Sequence, residues 1–242
     1  MKRLEFIKLN ALAGIGFGVM PFDNLQHKPD VDFLTGKHNP YLDDSGIIHK
    51  LAYRSFIKMR ESALNDGINI QIVSGFRSFD RQLQIWNSKY RTYRSQGLSD
   101  DLIIKKITTY STIPGTSRHH WGTDIDIIDQ NVNVPENNLL AEANYHGNGV
   151  FCQLNEWMQN YAQDFGFHLV YTDNYHRTGF NYEPWHYSYL PLSKTYLHHY
   201  QKIDLKDIFI DIEIEGKMFL DQNCLKSYFE THLLGINPAL LI

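Results

Sequence analysis

Residues Ser117 to Asp126, SRHHWGTDID, set two adjacent histidines before two aspartates that stand two apart. Imidazole nitrogen and carboxylate oxygen are both good zinc ligands, at about 2.0–2.2 Å. A catalytic zinc site takes three such ligands and keeps a fourth position for water. The stretch supplies one histidine, His119 or His120, and one carboxylate, Asp124 or Asp126. Alternation in a strand puts both aspartates on one face, so spacing does not choose between them. A third ligand must come from elsewhere. EPWHYSY, Glu183 to Tyr189, offers His186 and, three residues before it, Glu183. The histidine can be a ligand while the nearby carboxylate, left free, works as a general base.

The elements that must position these groups are legible in outline. IPGTSRHHWG reads as a loop, because Pro114 and Gly115 break any helix, and TDIDIID alternates like a strand. Gly122 gives the turn that folds the histidines back over that strand. Pro184 biases Glu183 toward extended backbone. Helices are expected in the segment Asp43–Gly67, capped by Asp44 or Ser45, in SFDRQLQIWNSKYRTY from Ser78 or Asp80, in DDLIIKKITTY after Ser99, and from Gly149 to Gly166. INIQIVSG and FHLVYT read as strands. Helices and strands mix without a regular βαβ rhythm, so the fold class is α+β: a small antiparallel sheet flanked by helices and carrying one metal site.

The chain is long enough for one substantial core. Its formal net charge of −4 supplies no basic field for nucleic acid. The two cysteines, Cys152 and Cys224, lie in apolar helical patterns and read as buried thiols rather than zinc ligands or a disulfide. Residues 1–25 pair a basic stretch, MKRLEFIKLN, with a short apolar one, too short to span a bilayer. This reads as an export signal, hence a periplasmic or otherwise extracytoplasmic protein, or else as an N-terminal helix. RLEFIKLNALAG also resembles a twin-arginine signal with Leu4 in place of the second arginine. Residues 26–200 form the main domain. In 201–242, alternation of Ile208, Ile210, Ile212 and Ile214 with acidic residues predicts a strand pair, followed by a final helix, as an appendage docked on that domain.

SGFRSFDRQ, SRHHWGTDID and EPWHYSY, in this order, resemble the zinc D-alanyl-D-alanine carboxypeptidases of the VanY type, as does LTGKHNP from Leu34. That family shares a fold with the Hedgehog signalling domain and with penicillin-insensitive murein endopeptidases. The resemblance covers about Leu34 to Leu190. It implies His119, Asp126 and His186 as zinc ligands, Glu183 as catalytic base and Arg77 as the group that stabilises the developing oxyanion. It implies substrate contacts for Ser117 and Gln82. It leaves Asp124 as a partner of a ligand histidine or a satisfied polar residue. Without the resemblance, Arg77 reads as a surface arginine beside Asp80, and Gln82 as helix surface. Trp121, Tyr182, Trp185 and Tyr187 read as core or as walls of a groove.

The implied partner is the peptidoglycan stem peptide, and no stable protein partner is evident. Two other functions fit the same motifs: a murein endopeptidase of this fold, or a zinc- or peptide-binding module without turnover. The full set of His119, Asp126, Glu183, His186 and Arg77 favours an enzyme. The motifs do not distinguish a D,D from an L,D bond.

Overall fold

The computed structural model describes residues 29–241. The expected export segment, residues 1–25, lies outside them. Among the described residues no helix is long and apolar enough to cross a membrane.

Four antiparallel strands form the sheet: β1 (Ile70–Ser74), β2 (Asp124–Asp129), β3 (Phe167–Leu169) and β4 (His186–Tyr189), in the order β1-β2-β4-β3. The α+β class expected from the sequence is therefore the observed one. The two central strands matter most for function. Asp126 of β2 stands opposite His186 of β4 and also pairs with Ser74 of β1 across a bulge. Asp124 stands opposite Ser188. Facing residues across antiparallel strands are close neighbours, so register alone brings these groups together.

The principal helices are α1 (Lys50–Asn65), α2 (Phe79–Ser95), α3 (Asp100–Ile107), α4 (Cys152–Tyr161), α5 (Leu190–Tyr200) and α6 (Gln222–Tyr228). Ser78 caps α2, accepting from Arg81 N, as its sequence predicts. The start of α1 differs from expectation. His49 is its cap, its Nδ1 accepting from Leu51 N, while Asp43 closes a preceding turn by accepting from Ile47 N and Ile48 N. One hydrophobic cluster joins α1, α4 and the sheet through Phe56, Met59, Ile125, Ile127 and Trp157. A second gathers α2, α3, α5 and the C-terminal segment around Trp86, Tyr90, Trp121 and Tyr200. Cys152 and Cys224 are half-buried, not buried as expected.

The C-terminal segment is the clearest departure from the sequence reading. No strand pair forms within the described part of 201–242. Ile208 ends a one-turn helix, Leu205–Ile208, whose cap Asp204 accepts from Lys206 N. Ile208 and Ile214 are buried, whereas Ile210 is 64% exposed, so the four isoleucines do not share a face. A strand needs a partner for its backbone groups. Here the backbone bonds to side chains of α2 instead: Trp86 Nε1 donates to Glu215 O, and Glu215 N donates to Asn87 Oδ1.

Candidate active site

Arg118–Trp121 folds as one turn of 3-10 helix, ended by Gly122 in the left-handed conformation at φ 70°. A side chain at Gly122 would also meet Leu42 and the His49 backbone, so the turn that returns the histidines to β2 requires glycine. Ser117 caps this turn, its Oγ accepting from His119 N. The two histidines then point to different places. His119 Nδ1 lies 2.8 Å from Gly75 O and, as the only possible donor of that pair, carries the proton. This leaves the Nε2 lone pair toward Asp126 Oδ2, 3.6 Å away. His120 Nε2 accepts from Gly115 N, and its Nδ1 faces Arg77 O. His120 packs so closely on Gly36 that a Cβ there would fall 2.3 Å from its ring. Both of its nitrogens are spent on backbone.

His186 sits between three carboxylates. Nε2 is 3.1 Å from Asp124 Oδ2, and Nδ1 is 2.9 Å from Glu183 Oε2 and 3.9 Å from Asp126 Oδ1. The His119 and His186 rings are 4.7 Å apart. Burial, with Arg77 and His186 nearby, holds His119 well below the ordinary histidine range. Burial also pulls His186 down, but Asp124 and Glu183 outweigh it and push it up to about 10. Asp126 is raised to about 6 by burial, with Glu183 adding to the effect and His186 and Arg77 opposing it.

These residues fit a metal ion. One ligand atom from each of His119, Asp126 and His186 lies within 4.8 Å of the others. Tetrahedral zinc with bonds of about 2.1 Å needs ligand atoms about 3.4 Å apart. His119 Nε2 lies 3.6 Å from Asp126 Oδ2 and His186 Nδ1 lies 3.9 Å from the other oxygen, Oδ1, so each imidazole is within a few tenths of an ångström of that spacing from one oxygen of the carboxylate. Asp126 Oδ1 is buried with no hydrogen-bond partner, an expensive state for a carboxylate unless a cation completes it. Coordination through His186 Nδ1 requires that nitrogen to be deprotonated. Asp124, at Nε2, then fixes the remaining proton and the ring orientation.

Asp124 is itself held by Arg118 Nε at 2.8 Å, Ser188 Oγ at 2.6 Å and Thr123 Oγ1 at 3.0 Å. Burial works to raise its pKa, but Arg118 and His186 prevail and hold it far below the usual carboxylate range. The Arg118 guanidinium lies 4.8 Å from the Trp121 ring. Removing one partner of such a buried pair leaves the other charge uncompensated. Asp124→Ala is therefore expected to cost about 3–5 kcal/mol, measured by urea unfolding in EDTA. Replacing Arg118 and Asp124 together by apolar residues of similar size should recover much of that loss.

A cleft of about 410 Å³ opens onto the cluster. Arg77, Ser117, Glu183 and Trp185 line it with the histidines and Asp126. Arg77 does not pair with Asp80. Its Nη1 donates to Gln82 Oε1 at 3.0 Å and its Nη2 to Ser74 Oγ at 3.2 Å. Burial pulls its pKa down, with Asp126 and Glu183 opposing. Gln82 is fully buried rather than on the helix surface, and it does not line the cleft. Its Nε2 donates to Thr112 O and its Oε1 accepts from Arg77, so both ends of the amide are engaged. Trp121 and Tyr187 are core, whereas Trp185 reaches the cleft.

The loop leading to Glu183 is held from behind by the C-terminal segment. Arg177 Nη1 donates to Gly235 O, Thr178 Oγ1 donates to Thr231 O, and Phe180 packs edge-on against His232. Tyr228 OH contacts Thr116 Oγ1 and accepts from Ile113 N, which ties the same segment to the histidine loop. Sequence reasoning missed Arg118 and Ser188, which hold Asp124, and Lys89, which lines the cleft. Ser188 was accessible, since it lies two beyond His186 on the same strand face. Lys89 was accessible as the residue seven beyond Gln82 on one helix. Arg118 gave no local signal.

An α+β fold in which His119, Asp126 and His186 form a possible metal-binding triad lining one cleft defines the class. Residues 46–192 match the VanY family, D-alanyl-D-alanine carboxypeptidase, and the chain belongs to that family. It is 26% identical over 172 residues to a D-alanyl-D-alanine carboxypeptidase of Enterococcus faecalis, covering 71% of this chain and 51% of the relative. An uncharacterized Haemophilus influenzae protein is 31% identical over 123 residues, covering 50% of this chain and 90% of that one. The putative carboxypeptidase YodJ of Bacillus subtilis is 28% identical over 144 residues, 59% of this chain and 46% of YodJ. The match thus spans about half the length of the Enterococcus and Bacillus relatives. Among solved structures, VanYB in complex with D-alanine-D-alanine aligns with a TM-score of 0.49 at 23% identity, covering 71% of this chain and 87% of VanYB. The LD-carboxypeptidase LdcB aligns at 0.47 and 25%, covering 69% and 70%.

Proposed function

We propose that this chain is a zinc-dependent carboxypeptidase that hydrolyses the terminal D-alanine from peptidoglycan stem peptides. The observation that carries this is the meeting of His119, Asp126 and His186 in one cleft, with Glu183 2.9 Å from His186. Membership of the VanY family supports the substrate class. Bound by the three ligands, zinc would supply Lewis acidity and make water nucleophilic near neutral pH. Glu183, free of the ligand set, takes the proton from the attacking water and returns it to the leaving amine. Arg77, held by Gln82 and Ser74, donates to the carbonyl oxygen as negative charge develops there. Asp124 keeps His186 oriented through Nε2. An extracytoplasmic location goes with this reading, supported by the basic and apolar character of the first residues.

The test is incubation of the purified zinc-loaded protein with muropeptides ending in a pentapeptide or a tetrapeptide, followed by mass spectrometry. Loss of one alanine from the pentapeptide is expected of a D,D-carboxypeptidase, and from the tetrapeptide of an L,D-carboxypeptidase. Cleavage within cross-linked peptides would make it an endopeptidase instead. Binding without any product would leave the binding-module reading.

A further inference from the structure

Helix α2 forms one wall of the cleft and carries more than the support for Arg77. Gln82, Ile85 and Lys89 stand at i, i+3 and i+7 and so share a helix face. Gln82 points to Arg77 and the Thr112 carbonyl, while Ile85 and Lys89 line the cleft. Seven residues of helix advance about 10 Å, so Lys89 is rooted about that far along α2 from Gln82. A surface lysine normally turns its ammonium to water. Lys89 instead is half-buried, and its Nζ donates to Ser111 Oγ at 2.6 Å across the cleft wall.

That single bond leaves two of the three ammonium donors unused. Among the described residues no carboxylate forms an ion pair with Lys89. Burial lowers the Lys89 pKa and the Arg77 guanidinium adds to this, while Glu183 opposes, so the ammonium shares a field with both groups. A partly desolvated cation without a counter-ion is costly, and an anionic ligand offsets that cost. We infer that Lys89 and Ser111 form a carboxylate subsite of the cleft, distinct from the Arg77 and Glu183 end, that binds a carboxylate of the peptide substrate. This rests on the proposed peptidase function. Two carboxylates have the right chemistry: the free C-terminus of the leaving residue and a carboxylate of an earlier residue.

The experiment measures binding by calorimetry to zinc-loaded Glu183→Gln protein, with Lys89 intact or changed to Met or Arg. The probes are a synthetic stem pentapeptide, its C-terminal amide, and the same peptide with its earlier carboxylates amidated. Lys89→Met should weaken binding of the free-acid peptide about 10–100-fold, the range of a charge-assisted hydrogen bond. Lys89→Arg should keep most of it. One amidated peptide should bind the Lys89 protein as weakly as the free acid binds Lys89→Met, with no further loss when both changes are combined. Whether that is the C-terminal amide or the other peptide identifies the carboxylate. In turnover by protein with Glu183 intact, Lys89→Met should raise KM and leave kcat nearly unchanged. Equal binding of the free acid to the Lys89 and Lys89→Met proteins overturns the subsite, as do losses that simply add for both amides. Failure of the peptidase reading is separate: the unmodified protein would then release no residue from any of these peptides.

Discussion

Glu183→Gln is expected to lower peptide hydrolysis by about 10²–10⁴, the range for loss of a general base, while zinc stays near one per chain. The two roles open to Glu183 predict opposite outcomes. As a ligand, its loss would release metal. As a base, its loss would spare metal and stop turnover. His119, Asp126 and His186 already supply three ligand atoms within 4.8 Å of one another, and a fourth protein ligand would close the position that water needs. Glutamine preserves the shape of the side chain and removes the proton acceptor. Metal analysis and product release on the same preparation decide the matter. Hydrolysis near the parent rate would remove Glu183 from the reaction, and loss of zinc would make it a ligand.

His119→Ala and His120→Ala are expected to separate completely although the residues are adjacent. His119 directs Nε2 at Asp126, so its removal is expected to take away one of the three proposed ligands. Metal affinity should fall by more than the roughly 10–100-fold typical for losing a mere outer partner of a ligand. His120 has no lone pair left for a metal, since Gly115 N and Arg77 O occupy its ring. Its alanine variant should keep zinc. It should instead lose stability by about 1–3 kcal/mol for the buried Gly115 N–H left unpaired, with packing losses added. Zinc titration monitored by calorimetry, together with urea unfolding in EDTA, reads both effects. Retention of tight zinc binding by His119→Ala would exclude the ligand set described above.

Much of this site is written in local sequence because its parts are local. A turn at Gly122 and a strand from Asp124 to Asp129 follow from a glycine and an alternating pattern. Ser78 caps α2 through contacts three residues away. The motif order and spacing carried the resemblance to the VanY family. Spacing could not choose between His119 and His120, or between Asp124 and Asp126. Neighbouring residues in a tight turn face different surroundings, and those surroundings come from Gly36, Gly75 and Arg77, more than forty residues away in the chain.

The remaining decisions also depended on partners distant in sequence. Asp124 and Asp126 share a face of β2, yet one meets His186 Nε2 with Arg118 and the other faces Nδ1 and His119. Only the β2–β4 register assigns them to the two sides of the ring. Gln82 looked like helix surface because a helix pattern does not say which polar face another segment will cover, and Thr112 covers it. The isoleucines from 208 to 214 alternate like a strand, but alternation supplies no partner for a strand's backbone. Trp86 and Asn87 of α2 took those backbone groups, and the core around Tyr90 took Ile208 and Ile214. The sequence determined the chemical inventory and the local turns that present it. The tertiary structure decided which atom of each side chain faces the cleft, because burial and cross-strand register are properties of contacts that no local pattern contains.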